Sequence, residues 1–298
     1  MTVIARDKVP GQSPTFLELK LFLNALRQKM NFSELVRNDP VQFVHRFKAP
    51  RDEEIAAFFS ALLAFGRVKM IIKNLQGLFR RMEWRPASFI HEFDHKKEKA
   101  FAGFVHRFVK GGDIAVISYA LHDIYLFHGG LKKFFLDGCT NGAPDLSVAI
   151  GKFVENFYAL NALSELEKSR RKNSGIYFLM PPPGSKSAYK RLNLFLRWMV
   201  RKDGNVDTGL WKEIKPSQLI IPLDTHIARL SRNLGLTSRR TPDMKMAIEI
   251  TGNLKKLAPE DPLKYDFPLC HLGISTGCTG KYNKKTCAEC VIRDFCVI

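Results

Sequence analysis

The stretch Cys278–Cys296, CTGKYNKKTCAECVIRDFC, decides how this chain is read. Its cysteines at 278, 287, 290 and 296 stand as C-x8-C-x2-C-x5-C. Four thiolates in so short a segment can surround one metal centre, and the intervening lysines offset the negative charge that such a centre gathers. Tetrahedral zinc accepts the same ligands, but zinc ribbons pair two C-x2-C knuckles, and here Cys287 and Cys290 form the only one. The spacing therefore favours an iron–sulfur cluster, with zinc as the alternative. Five of the six cysteines lie between Cys270 and Cys296, a crowding that in a reducing compartment points to metal ligation rather than disulfides. Cys270, in the apolar run YDFPLCHLGI, reads as a buried thiol, and Cys139 as a loop or core thiol.

The rest of the chain supplies the body on which that tail sits. With 298 residues and 45% hydrophobic content it has material for a core, and a disordered chain is excluded. Lys and Arg total 47 against 29 Asp and Glu, a formal charge of +18 that makes polyanions the expected partners. The N-terminal MTVIARDKVPGQSP lacks a continuous apolar segment, and no stretch approaches the roughly 18 apolar residues of a spanning helix. A cytoplasmic protein with no membrane partner is expected.

Apolar residues recur three and four apart almost throughout, so the expected fold class is all-α. Candidate helices are 15–30, 39–47, 51–65, 68–82, 86–93, 100–108, 112–127, 130–136, 145–160, 188–201, 225–234, 242–257 and 262–273, divided by breaks such as MPPPGS and RKDGNVDTG. The charged run 165–173, ELEKSRRKN, reads as a solvated helix end or loop.

Two further segments carry chemistry. In IIPLDTHIARLSRNLGL (220–236), Asp224 stands where an N-cap belongs, before an amphipathic helix bearing Ile227, Leu230 and Leu234. In MPPPGSKSAYKRLNLFLRWMVRKDG (180–204), Lys186 and Lys190 lie four apart and can face one cleft. Lys190, Asn193, Arg197 and Arg201 form a polar stripe opposite Leu192, Phe195, Leu196 and Met199.

Taken together, these segments resemble the helix-hairpin-helix DNA glycosylases of the endonuclease III type. The tail is similar to that family's cluster loop, C-x6-C-x2-C-x5-C, with a first spacing two residues longer. The Asp224 segment resembles its V-D-T-H-hydrophobic-x-R string. Met180, Pro181, Gly184, Lys186, Ser187 and Ala188 fit the hairpin L-P-G-x-G-x-K-[TS]-A, but Pro182 replaces the first hairpin glycine and Pro183 follows it. Proline has no N–H to offer a phosphate, so the hairpin is degenerate.

The resemblance implies a two-lobed fold: N-terminal helices (1–65) packing with the C-terminal lobe, a central helical barrel (66–223) holding the degenerate hairpin (180–190), and C-terminal helices with the cluster loop (224–298). It implies excision of a damaged base from double-stranded DNA, with AP-lyase chemistry at abasic sites, by a monomer associated with the nucleoid. Asp224 would stabilise charge developing on the sugar. Lys190 or Lys186 would be the nucleophile, with Lys190 preferred and Arg191 as a neighbouring cation that lowers its pKa. DNA contacts are expected from Gly184, Ser185, Arg191, Arg197, Arg201, His226 and Arg229, while Phe65 or Arg67 would fill the space left by the flipped nucleotide. The insertion 202–221 either shapes a pocket or is an excursion with Trp211 pinned to the core. A reading of another class is a non-catalytic protein that recognises DNA or RNA structure and carries a structural metal site. A two-metal nuclease lacks the clustered carboxylates it would need. The lesion itself is not specified.

Overall fold

The computed structural model describes residues 15–168, 175–204 and 206–297, and it is mostly helical. In chain order come α1 (Phe16–Lys29), α2 (Phe32–Arg37), α3 (Pro50–Leu62), α4 (Val68–Arg81), α5 (Pro86–His91) and α6 (His95–Glu98). A two-stranded antiparallel hairpin, β1 (Val105–His106) and β2 (Val109–Lys110), leads into α7 (Gly111–Phe127), α8 (Leu131–Leu136), α9 (Ser147–Ala159), α10 (Asn161–Lys168) and α11 (Ile176–Leu179). The chain ends with α12 (Lys190–Val200), α13 (Thr225–Asn233), α14 (Met244–Leu257), α15 (Asp266–Ser275) and α16 (Lys284–Ala288). Helix starts follow local chemistry. Thr15, Asn31, Asp94, Asp224, Asp243 and Asn283 each accept a first-turn amide on a side-chain oxygen, and Pro50 and Pro86 open their helices where no N–H is needed.

The core is built around α3, in which every residue from Glu54 to Leu62 is buried. α3 packs along α12, where Phe58 meets Phe195 edge to face at 5.3 Å and Phe195 meets Trp211 at 5.2 Å. Such aromatic pairs add about 0.5–1.5 kcal/mol to their area burial. The N-terminal helices close on the C-terminal elements: the Tyr265 hydroxyl donates to Asn24 Oδ1 at 3.0 Å, and Phe22 stacks on Phe295 at 4.3 Å.

Several expectations are corrected. The helix read over 39–47 is a single 3-10 turn, Pro40–Phe43, and 262–273 splits into a 3-10 turn, Pro262–Tyr265, followed by α15. The helix read over 100–108 is a 3-10 turn and the β-hairpin, because Gly103 and Arg107 take left-handed backbone angles (φ +70° and +55°) that an α-helix cannot hold. α12 starts at Lys190, since Tyr189 is left-handed at φ +44°. α3 lies against α12, and buried apolar side chains from Leu19 to Ile292 form one continuous cluster. Residues 169–174, which hold the end of the charged run 165–173, lie outside the described residues.

The insertion 202–221 is structural. Trp211 is buried, its backbone N–H donates to Met199 O, and its indole N–H donates to Glu54 Oε1 at 2.7 Å. Tyr125 donates to the other oxygen of Glu54, and burial raises this carboxyl's pKa above the ordinary value against those hydrogen bonds.

Candidate functional site

Asp224 ends a buried extended segment, Ile220–Leu223, and caps α13. A single oxygen does the capping: Oδ1 accepts from the His226 and Ile227 amides at 2.9 and 2.8 Å. Oδ2 is turned to the Cys270 thiol, which donates to it across 3.9 Å. One carboxylate oxygen is thus taken up by capping, and the other faces a thiol.

Lys190, at the first turn of α12, reaches over the end of α3 and donates from Nζ to the Ala64 carbonyl at 3.1 Å, where terminal carbonyls favour a cation. The charges of Lys190 and Asp224 both bear on Asp266 and on Cys270, so the starts of α12, α13 and α15 converge. Burial raises the Asp266 pKa and Asp224 raises it further, while Arg197 and Lys190 oppose them. Burial also holds the Cys270 thiol well above its usual range, with Asp224 and Asp266 adding to the effect, which keeps it neutral near pH 7 and unsuited to metal binding. Lys186 does not enter this group. It is exposed in the loop between α11 and α12.

The polar stripe of α12 is inward-facing. Arg197 is 3% exposed, donates from Nε to Asp207 at 3.1 Å and from Nη1 to Asp266, while Arg201 binds Asp207, Asp203 at 3.0 Å and Asp261 at 2.7 Å. Asn193 is buried too, its amide donating to Ala188 O. Burial alone would lower both arginine pKa values, but the carboxylates more than offset it and raise them. Arg197 and Arg201 are therefore corrected from DNA contacts to buried struts, and Asp207 is what the insertion contributes to them.

His226 and Arg229 are half-buried and bridge two helices. Nδ1 of His226 donates to Gly273 O at 2.9 Å and Arg229 Nη2 donates to the same carbonyl at 3.3 Å, tying α13 to α15. The helices touch so closely there that a Cβ on Gly273 would fall 2.8 Å from His226 Cβ. Arg191 turns its guanidinium over Phe178, 3.9 Å from the ring centroid, and donates to Phe178 O. Phe65 is half-buried among His106, Phe108, Phe178 and Arg191 at the edge of a cleft, and Arg67 is exposed at the N-cap of α4.

In the degenerate hairpin, Tyr189 donates to Pro182 O at 3.1 Å and accepts from Ser185 Oγ at 3.2 Å, so its ring closes the loop from within. Gly184 sits exposed at φ +75°. At the tail, Asn233 Nδ2 and the Gly280 amide point at Cys278 Sγ at 3.5 and 3.4 Å, and the Asn283 amide points at Cys287 Sγ at 3.3 Å. N–H groups aimed at sulfur suit thiolates. Cys290 and Cys296 follow in the sequence, and four thiols are the donor chemistry that a zinc or iron–sulfur centre takes. Among the described residues, no group of three or more His, Cys, Asp or Glu side chains is gathered at metal-ligand geometry.

Sequence reading missed Asp266, Asp207, Phe108 and Phe178. An aspartate opening the otherwise apolar run DFPLCHLGI was a signal for Asp266. No local pattern marked the others.

The fold defines a mostly helical protein in which a lysine over the end of α3 and an aspartate at the head of α13 flank a buried arginine–carboxylate network. Residues 39–275 match the family described as a protein of unknown function (DUF2400), and the chain belongs to that family. The matched region takes in Lys190, Asp224, Asp266 and Cys270 and stops before Cys278. No curated protein and no solved structure matches the chain. No helix among the described residues is long and apolar enough to cross a membrane.

Proposed function

We propose that this protein is a DNA base-excision glycosylase with AP-lyase activity, in which Lys190 is the nucleophile and Asp224 the charge-stabilising and proton-moving group. What supports the reading is the placement of Lys190 at the head of α12, over the end of α3, and of Asp224 at the head of α13 with Oδ2 towards Cys270, the charges of both bearing on Asp266 and Cys270. Capping through Oδ1 leaves Asp224 Oδ2 available to face positive charge on a sugar. Attack of the Lys190 amine on the anomeric carbon breaks the N-glycosidic bond, and the departing base takes the bonding pair and a proton. Loss of a proton from the attached nitrogen, with ring opening, gives a Schiff base; removal of a C2′ proton then expels the 3′-phosphate with its bonding pair and cleaves the strand. Cys278, Cys287, Cys290 and Cys296 would hold a 4Fe-4S cluster, or zinc in the alternative, whose role when bound is to order the basic tail. The substrate would be double-stranded DNA bearing a damaged base or an abasic site, taken by a monomer in the nucleoid-bearing cytoplasm, and the two-lobed arrangement belongs to this proposal.

The test is borohydride trapping on abasic and lesion-bearing duplexes. The wild type should form a covalent adduct, Lys190→Gln should not, and Asp224→Asn should bind DNA while losing turnover; asparagine is also a good N-cap, so its fold should persist. Absence of a wild-type adduct overturns the lyase chemistry. The non-catalytic reading, a protein that recognises DNA or RNA structure, draws support from the proline-filled hairpin plugged by Tyr189. On that reading, Asp224→Asn would leave the biological activity intact.

A further inference from the structure

Beside the lysine–aspartate site lies a surface that the proposed chemistry does not use. The β1–β2 hairpin folds over the loop after α3 and is fixed there by His106, which is buried. One ring nitrogen of His106 donates to Phe65 O at 3.1 Å and the other accepts from Asn74 at 2.8 Å. This presses Phe108 onto Phe65, with ring centroids 5.6 Å apart and planes 29° from parallel, and Phe178 closes the group edge-on to Phe108 at 4.6 Å. Phe65 is half-buried, whereas Phe108 and Phe178 remain 46% and 41% exposed. Two large exposed aromatics from separate chain segments, packed on a third half-buried ring, are unusual for a plain solvent face.

The charge around them has one sign. Residues 65–82, 99–112 and 175–202, which build this surface, contain no Asp or Glu. Arg67 and Arg107 are exposed at the mouth of a cleft of about 610 Å³ that is also lined by Phe65, Met70, Asn74 and Val105. Arg191 lies under the rings with little compensation. Burial lowers its pKa to about 10, it spends one N–H on Phe178 O, and its Nε has no hydrogen-bond partner among the described residues. Flat apolar rings, guanidinium groups and the absence of acidic side chains together suit a ligand that is flat and apolar on its faces and anionic along its length.

We propose that this surface is a stacking platform for unpaired DNA, on which Phe108 and Phe178 take successive bases of a single strand while Arg67 and Arg107 pair with its phosphates. DNA as the source of the strand rests on the function proposed above; the platform itself rests on the rings and the charge. The cleft falls within the volume range of small-ligand sites, large enough for one base and its sugar between the hairpin and α4.

The experiment is fluorescence-anisotropy titration of full-length protein with a labelled oligothymidylate, alongside an oligouridylate of equal length and an abasic duplex. Alanine replacement of a stacking aromatic typically weakens single-strand binding by about fivefold to a hundredfold per base. Phe108→Ala and Phe178→Ala should each weaken oligothymidylate binding at least fivefold, and Phe108→Trp should restore it. Arg107→Gln should lower the slope of log affinity against log salt by roughly 0.7. Folding is checked by thermal melts, and Phe108→Trp, which keeps a large ring, covers the case in which an alanine variant unfolds. Unchanged affinity in folded Phe108→Ala and Phe178→Ala variants, or tighter binding of oligouridylate than of oligothymidylate, overturns the proposal. Loss of single-strand binding with adduct formation on the abasic duplex retained supports both proposals. Single-strand binding without any adduct on the duplex leaves the platform standing and removes the lyase.

Discussion

Arg197→Met separates a buried strut from a DNA contact. Methionine keeps the length and apolar stem of the side chain and removes the charge, which in the native protein is 3% exposed and shared between Asp207 and Asp266, both also buried. Removing one partner of a buried ion pair costs about 3–5 kcal/mol, because the remaining charge keeps its desolvation penalty without its compensation. At about 2 °C per kcal/mol, the low end for domains of this size, the melting temperature should fall by roughly 6–10 °C. The loss has a pH signature. Burial already raises the folded pKa of Asp207 and Asp266, and removing Arg197 takes away an interaction that lowers both. A carboxyl whose folded pKa lies above its unfolded value of about 3.9 destabilises progressively as pH rises from the unfolded towards the folded pKa. The deficit should therefore be larger at pH 8 than at pH 5, measured by calorimetry or urea unfolding at both. Neutralising the carboxylates in Arg197→Met/Asp207→Asn/Asp266→Asn should recover part of it. A melting temperature within 2 °C of wild type, accompanied by weaker DNA binding and a shallower salt dependence, would refute the assignment and return Arg197 to the DNA-facing surface.

Two more outcomes follow from the geometry. Burial, with Arg107 and Arg191 adding to it, holds the His106 pKa below the ordinary histidine value, so the unfolded chain takes up a proton where the folded one does not; stability should fall as pH drops below about 6.5, and His106→Gln should flatten that part of the urea-unfolding profile. Cys287→Ser should lose the metal of the tail, read as brown colour and iron by elemental analysis of wild type against variant, while zinc in colourless wild-type protein would replace the cluster with its alternative.

The helical class and most helix positions were legible because the three- and four-residue periodicity of apolar side chains is a local property, and caps such as Asp224 are written in adjacent residues. The hairpin at 105–110 was missed because VHRFV also satisfies a helical pattern; its course was decided by the left-handed Arg107 and by His106 bonding to Phe65 and Asn74, 41 and 32 residues away.

The sequence alone determined the helical class, the aspartate at the head of α13, the lysine at the head of α12 and the four cysteines of the tail, since each is marked within a few residues. It also placed Lys190, Asn193, Arg197 and Arg201 on one face of a helix. Only the tertiary structure decided that this face looks inward, because the partners of Arg197 lie 10 and 69 residues further along the chain. A charge enters a core only where an opposite charge meets it, and whether that meeting takes place is settled by packing rather than by periodicity.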